Sequence, residues 1–133
     1  MRTQPALKQL FTSAALPLFL GAALSDCAYK SSYEIQWMNF SSWLIIGALV
    51  FETLAILATL ATGRQHSAVG GRRWISLVVL LALWILGVVN AFVHARDAWA
   101  MMPTGWVLSL VCAVLACIAT WSVYCNDRSG GAA

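Results

Sequence analysis

The chain has 133 residues, of which 61% are hydrophobic and 10% charged, with a formal net charge of +3; an ordinary soluble domain carries roughly 25% charged residues. Too few polar residues are present to coat a water-soluble globule, so the apolar excess must face something other than water, and lipid is the simple candidate. The positive charge is small and scattered, which excludes the basic stripe or patch that nucleic-acid binding requires, and the length allows one domain.

Four apolar runs follow in chain order: Leu7 to Tyr29, Met38 to Thr62, Trp74 to Ala95 and Pro103 to Tyr124. Each is close to the ~20 residues a helix needs to span ~30 Å of hydrocarbon. Runs of this length without alternation exclude a membrane barrel and leave helices, because every backbone polar group must be satisfied inside the segment. The expected fold is all-α, an integral-membrane four-helix bundle occupying residues 1–126, with a short flexible tail at 127–133.

In the first run, Arg2 and Lys8 precede a short apolar stretch that ends in small residues around Ala22 to Ser25. That pattern also fits a secretory signal peptide, but Asp26 ahead of Cys27 makes a poor lipoprotein site. The run is read as a retained helix, with Pro17 expected to bend it. Between the first and second runs, Tyr29, Tyr33 and Trp37 recur every four residues while Lys30 and Glu34 make an i,i+4 pair. A short interfacial helix, or a plain aromatic anchor, would carry such a pattern.

Counting Lys and Arg between the spans places Arg2, Lys8, Arg64, Arg72, Arg73 and Arg128 on one side and only Lys30 and Arg96 on the other. By the positive-inside rule both termini are expected to be cytoplasmic. Trp37, Trp43, Trp99 and Trp106 fall at the outer boundary and Trp74 and Trp121 near the inner one; Trp84 alone lies mid-span. The loop from Gly63 to Gly71, which contains His66, reads as a short flexible connection.

Small residues recur at helical spacing as Ser13, Pro17, Gly21 and Ser25; as Ala48, Glu52, Ala55 and Thr59; and as Ser109, Cys112, Ala116 and Thr120. Such stripes let helices approach closely where lipid gives no hydrophobic drive for association, which favours a tight bundle. Cys27, Cys112, Cys117 and Cys125 show neither a Cys-x-x-Cys pair nor metal-ligand spacing. Cys112 and Cys117 do not share a helix face and read as small packing residues.

Two sets of residues could carry chemistry. Glu52 falls mid-membrane, where an ionised carboxylate costs at least a few kcal/mol, so it should face the bundle. It reads equally as a proton-relay or ligand-anchoring acid and as a protonated side chain bonded to a neighbouring helix. On the third run Gly87, Asn90, His94 and Asp97 share one face, and Asp26 ends the first run at the same depth. With Arg96 they form an expected outer-face polar cluster in which Asp26 or Asp97 orients the His94 imidazole; the plainer reading is a hydrated helix end.

A haem between two histidines of one chain is excluded, because His66 and His94 are separated by most of the membrane. Met101, Met102 or a second copy's His94 would be needed instead, with no spacing to support them. No Gly-x-Ser-x-Gly, His-Glu-x-x-His, P-loop or dinucleotide fingerprint is present. No enzyme activity, cofactor or metal is therefore expected.

Two stretches resemble a family. One runs from Leu16-Pro17-Leu18-Phe19-Leu20-Gly21-Ala22 through Ser25-Asp26, Ala28-Tyr29, Ser32-Tyr33-Glu34-Ile35-Gln36-Trp37 and Asn39-Phe40; the other covers Asn90 to Trp99, with Pro103-Thr104-Gly105. From about Leu16 to Tyr124 the chain resembles the bacterial inner-membrane proteins grouped as domain of unknown function 2231. The resemblance implies a four-helix membrane protein whose relatives are often encoded beside quinoprotein sugar dehydrogenases or near cytochrome c domains. Relatives tend to end helix 4 with Tyr-Arg-His; here Cys125-Asn126 follow Tyr124, which weakens any metal or haem proposal.

The leading expectation is an accessory or anchoring subunit that docks a periplasmic redox partner, such as a dehydrogenase, through the outer face. The alternatives are a small proton-coupled or solute-handling protein, acting as a homo-oligomer, and a haem- or quinone-binding electron-transfer subunit.

Overall fold

The computed structural model describes residues 3–62, 70–96 and 100–131, with side chains at 6–62, 71–96 and 100–128. Asp97 and Trp99 of the expected outer cluster and belt, and His66 with the loop around it, lie outside the described residues. Four helices make up the fold: α1 (Thr3–Ser32), α2 (Ile35–Thr62), α3 (Gly70–His94) and α4 (Thr104–Gly131). All four are long and apolar enough to cross a membrane.

Each helix packs on its two neighbours in a ring, α1 on α2, α2 on α3, α3 on α4 and α4 back on α1, with α1 against α2 the most extensive contact. Consecutive helices run in opposite directions, so α1 and α3 are parallel and face each other across the ring. Large apolar side chains point outward, among them Leu24, Phe92, Trp74 and Trp121, each about 70% exposed. That outward apolar surface is what a lipid environment solvates.

Small residues line the buried faces of α2 and α4, as the stripes predict, whereas α3 buries Leu77, Leu80 and Leu83. On α2 the buried face is Ser41, Ile45, Ala48, Glu52, Ala55 and Thr59. On α4, Ser109, Cys112 and Ala116 are buried as expected, and Ala119 and Val123 continue the face. On α1 the stripe is rotated from the expected one: Thr12, Ala15, Phe19, Ala22 and Asp26 are buried; of the expected residues Ser25 is buried, Ser13 and Gly21 are partly covered, and Pro17 is exposed. The large Phe19 points inward and fixes the orientation of α1, while Pro17, two residues before it, falls on the lipid side.

Two connections differ from the sequence expectation. No separate interfacial helix follows α1; Tyr33 and Glu34 alone join it to α2. Tyr33 takes a left-handed conformation (φ 59°), and its N–H donates to the Tyr29 carbonyl at 2.7 Å, closing α1 as a left-handed cap does. With the chain reversed there, Lys30 does not stay on one face with Glu34; its ammonium lies 3.7 Å over the Trp106 ring of α4.

The second difference is at the C-terminus. α4 continues to Gly131 where a loose tail from residue 127 is expected. Asp127 holds this extension: it forms an ion pair with Lys8 and accepts a hydrogen bond from Gln9 Nε2 at 2.8 Å. Both charged side chains are nearly covered, so lysine and aspartate are matched where α1 meets α4.

Candidate functional site

His94 and Asp26 meet inside the bundle. On α3, Gly87, Asn90 and His94 are buried together at steps of three and four residues, which aims all three at the bundle axis. On α1, Asp26 follows Phe19 and Ala22 on the inward face. The two parallel helices bring these side chains to one depth, and His94 Nε2 lies 2.9 Å from Asp26 Oδ1 and 3.1 Å from Oδ2. Neither side chain retains solvent exposure.

The remaining partners come from the other two helices. Ser109 on α4 donates to Asp26 Oδ2 and accepts from Asn90 Nδ2 at 2.9 Å. Ser41 on α2 donates to the Ala22 carbonyl at 3.3 Å, and its oxygen lies 3.3 Å from His94 Nε2. One polar knot thus ties all four helices together at the end of the bundle away from the termini.

Proton positions follow from the acceptors. His94 Nδ1 lies 2.9 Å from the Asn90 carbonyl, which can only accept, so Nδ1 carries hydrogen. A single further proton then belongs between Nε2 and the Asp26 carboxyl. The couple is net neutral whether that proton sits on nitrogen or on oxygen, and this is the condition for burying both groups in an apolar medium. Both ring nitrogens are engaged, so metal or haem ligation by His94 would require the couple to be broken.

This arrangement corrects the expected outer-face cluster in two respects and the interfacial aromatics in one. Asp26, Asn90 and His94 do come together, but inside the bundle and not on a hydrated surface. Arg96 lies beyond the end of α3, where it is exposed and makes no ion pair with Asp26. Tyr29, expected as an interfacial aromatic, is buried because it continues the face of Ala22 and Asp26, whereas Tyr33 and Trp37 remain exposed.

Sequence reading missed two members of the knot. Ser41 lies on the α2 face that contains Ala48 and Glu52, one turn before Ile45, and that periodicity was the available signal. Ser109 was visible only as a small packing residue. Met101 packs beside the imidazole: a Cβ on Gly105 would meet Met101 Cγ and His94 Cε1 together.

Glu52 stands apart from this knot. It is fully buried, as expected, and neither carboxyl oxygen has a hydrogen-bond partner among the described residues. Among the described residues no group of three or more His, Cys, Asp or Glu side chains is arranged to hold a metal. All four cysteines are free thiols, with Cys112 buried and Cys117 exposed on different faces of α4. Mid-span Trp84 is accounted for by its indole N–H, which donates to Thr53 Oγ1 at 3.0 Å.

No family model, curated protein or solved structure matches the chain.

Proposed function

We propose that this chain is a proton-handling multi-pass membrane protein in which the His94–Asp26 couple takes up and releases a proton near the outer end of the bundle. The observation that supports it is the direct imidazole–carboxyl contact, sealed from solvent, at membrane depth. Ionisable groups placed there are costly and mark proton or ion paths by default. Withdrawing the shared proton leaves a buried anion, and adding one leaves a buried cation. Proton exchange is therefore tied to a compensating charge or to opening of the knot, and that coupling is what the protein would use.

In this reading the chain catalyses no bond-making reaction. A solute cavity is hard to accommodate among four short helices, so a solute-carrying version would need more than one copy. The test is proton movement across vesicles containing the purified protein and a trapped pH dye. His94→Gln and Asp26→Asn should abolish protein-dependent flux while leaving the helical signal intact. Wild-type vesicles that equilibrate no faster than protein-free ones would sink the reading.

A second reading draws on the resemblance to the family of unknown function: an accessory or anchoring subunit in a bacterial inner membrane, docked to a periplasmic redox partner such as a quinoprotein dehydrogenase. The exposed turn from Tyr33 to Trp37 favours it, since it presents part of the segment that carries the resemblance. Affinity capture from the native membrane would recover that partner in stoichiometric amount. Recovery of the chain alone would end this reading.

A further inference from the structure

The end of the bundle that carries the termini holds more positive charge than it matches. Among the described residues, Lys8, Arg72, Arg73 and Arg128 lie there against Asp127 alone. Asp127 is already engaged: one oxygen pairs with Lys8 and the other accepts from Gln9. Arg73 donates to the Thr59 and Leu60 carbonyls at 3.2 and 3.3 Å, and so caps the end of α2. Of the other described carboxylates, Asp26 and Glu34 lie at the opposite end and Glu52 is buried mid-span. Exposed Arg128 therefore makes no ion pair with a described residue, and a counter-charge for it comes from outside the chain.

Arg128 stands at the end of a groove where α1 meets α4. The groove has a volume of about 370 Å³ and is lined by Cys117, Thr120, Trp121, Tyr124 and Arg128 of α4 and by Leu16 of α1. The α4 residues recur at steps of one, three and four, so they form one face that runs about 16 Å from Cys117 to Arg128. Side chains lean toward the N-terminus of their helix, which tips Arg128 back over Tyr124 and along the groove. The Thr120 hydroxyl is taken up by the Ala116 carbonyl at 2.8 Å. Across the seam Tyr124 Oη and Ser13 Oγ are hydrogen-bonded at 3.1 Å, and the Lys8–Asp127 pair holds the same two helices one turn further on. The groove is thus preformed: an apolar length, then the 75% exposed indole of Trp121, then a guanidinium.

We infer that this groove is a binding site for one anionic phospholipid, with the phosphate on Arg128 and an acyl chain laid past Trp121 toward Cys117. A guanidinium fork matches two phosphate oxygens with parallel N–H bonds, and basic pockets between membrane helices take anionic head groups. In a zwitterionic lipid the phosphate carries its own cation, which competes with the arginine. Trp121 lies about 10 Å deeper than Arg128, which places the indole at the boundary between head group and hydrocarbon when the guanidinium holds a phosphate. A second copy of the chain in the same orientation would bring its own surplus of cations to this end, so charge favours lipid over a partner copy. The site is far from the His94–Asp26 couple and independent of the proton-handling reading.

Native mass spectrometry of the purified protein, titrated in detergent with phosphatidylglycerol or phosphatidylcholine of the same acyl chains, tests the assignment. One phosphatidylglycerol should be retained in preference to phosphatidylcholine. Arg128→Gln should weaken that retention about tenfold, the scale of one charged hydrogen-bonded contact. Arg72→Gln removes the same charge from the same end of the molecule but outside the groove, and should leave retention unchanged. The Cys125 thiol also lines the groove, so its alkylation should slow when phosphatidylglycerol is added and not when phosphatidylcholine or inorganic phosphate is. Equal retention of the two lipids, an equal loss in Arg72→Gln, or Cys125 labelling indifferent to phosphatidylglycerol would overturn the inference. So would a lipid-free dimer that separates in Arg128→Gln, which would assign the groove to a second copy.

Discussion

A methyl group on Gly105 would stand 3.1 Å from Cε1 of His94. The first turn of α4 thus lies directly against the imidazole, and only the absence of a side chain allows it. The same added methyl would come 2.6 Å from Met101 Cγ, closer than atoms pack. Gly105→Ala should therefore displace Met101 or tilt the imidazole off Asp26, at about 1–3 kcal/mol for overpacking. Thermal unfolding in detergent would register the loss. The histidine Nε2 resonance in nitrogen NMR would show whether the couple has been disturbed.

The His94–Asp26 couple is expected to behave as a unit. Asp26→Asn or His94→Gln alone leaves the partner buried without its counterpart, at a cost of about 3–5 kcal/mol. The double variant should cost clearly less than the two singles added together, and a double-mutant cycle on unfolding free energy measures that difference. Strict additivity would mean that the two side chains do not interact.

Asp127 gives the end of α4 a purpose. Removing residues from Asn126 onward should expose Lys8 to an unpaired, nearly covered position and loosen α1 from α4, costing about 2 kcal/mol for the lost charged bonds. Asp127→Asn should reproduce most of that loss, because it removes the charge and keeps the volume. Proteolysis rates near both termini would report the loosening.

Trp84→Phe provides the contrasting case. It deletes one interhelical hydrogen bond, to Thr53, on the lipid-facing side, and such bonds are worth about 0.6 kcal/mol in membrane proteins. The midpoint of unfolding should hardly move. A loss several-fold larger would show that the indole ring also fills space between α2 and α3.

How much of this could be read from the amino acids depends on what each helix buries. The four helices were legible because lipid demands length and continuous apolarity, and those properties belong to each segment alone. The α2 face was legible for the same reason: Ala48, Glu52, Ala55 and Thr59 are small or costly residues at helical spacing. On α1 the small-residue stripe pointed to Pro17, whereas Phe19 is the side chain buried in the interior, in one core cluster with Leu80 and Leu83 of α3. Asp26, Asn90 and His94 could be placed at one depth from sequence. Their orientation required the rotation of α1 and α3 about their axes, while Arg96 falls beyond the end of α3 and leaves the cluster. Lys8 and Asp127 lie at opposite ends of the chain, and no local pattern joins them.

The diagonal placement of the couple also bears on how the chain is made. Asp26 enters the membrane with α1, but its partner sits at the end of α3, 68 residues later, and Lys8 waits for the last helix. During synthesis the α1–α2 hairpin therefore forms before the partners of Asp26 and Lys8 have been made. Completion of α4 matches the ammonium and, through Ser109, finishes the setting of the carboxylate. Assembly is thus closed from the C-terminal half, and the first two helices depend on it for a settled place in the bilayer.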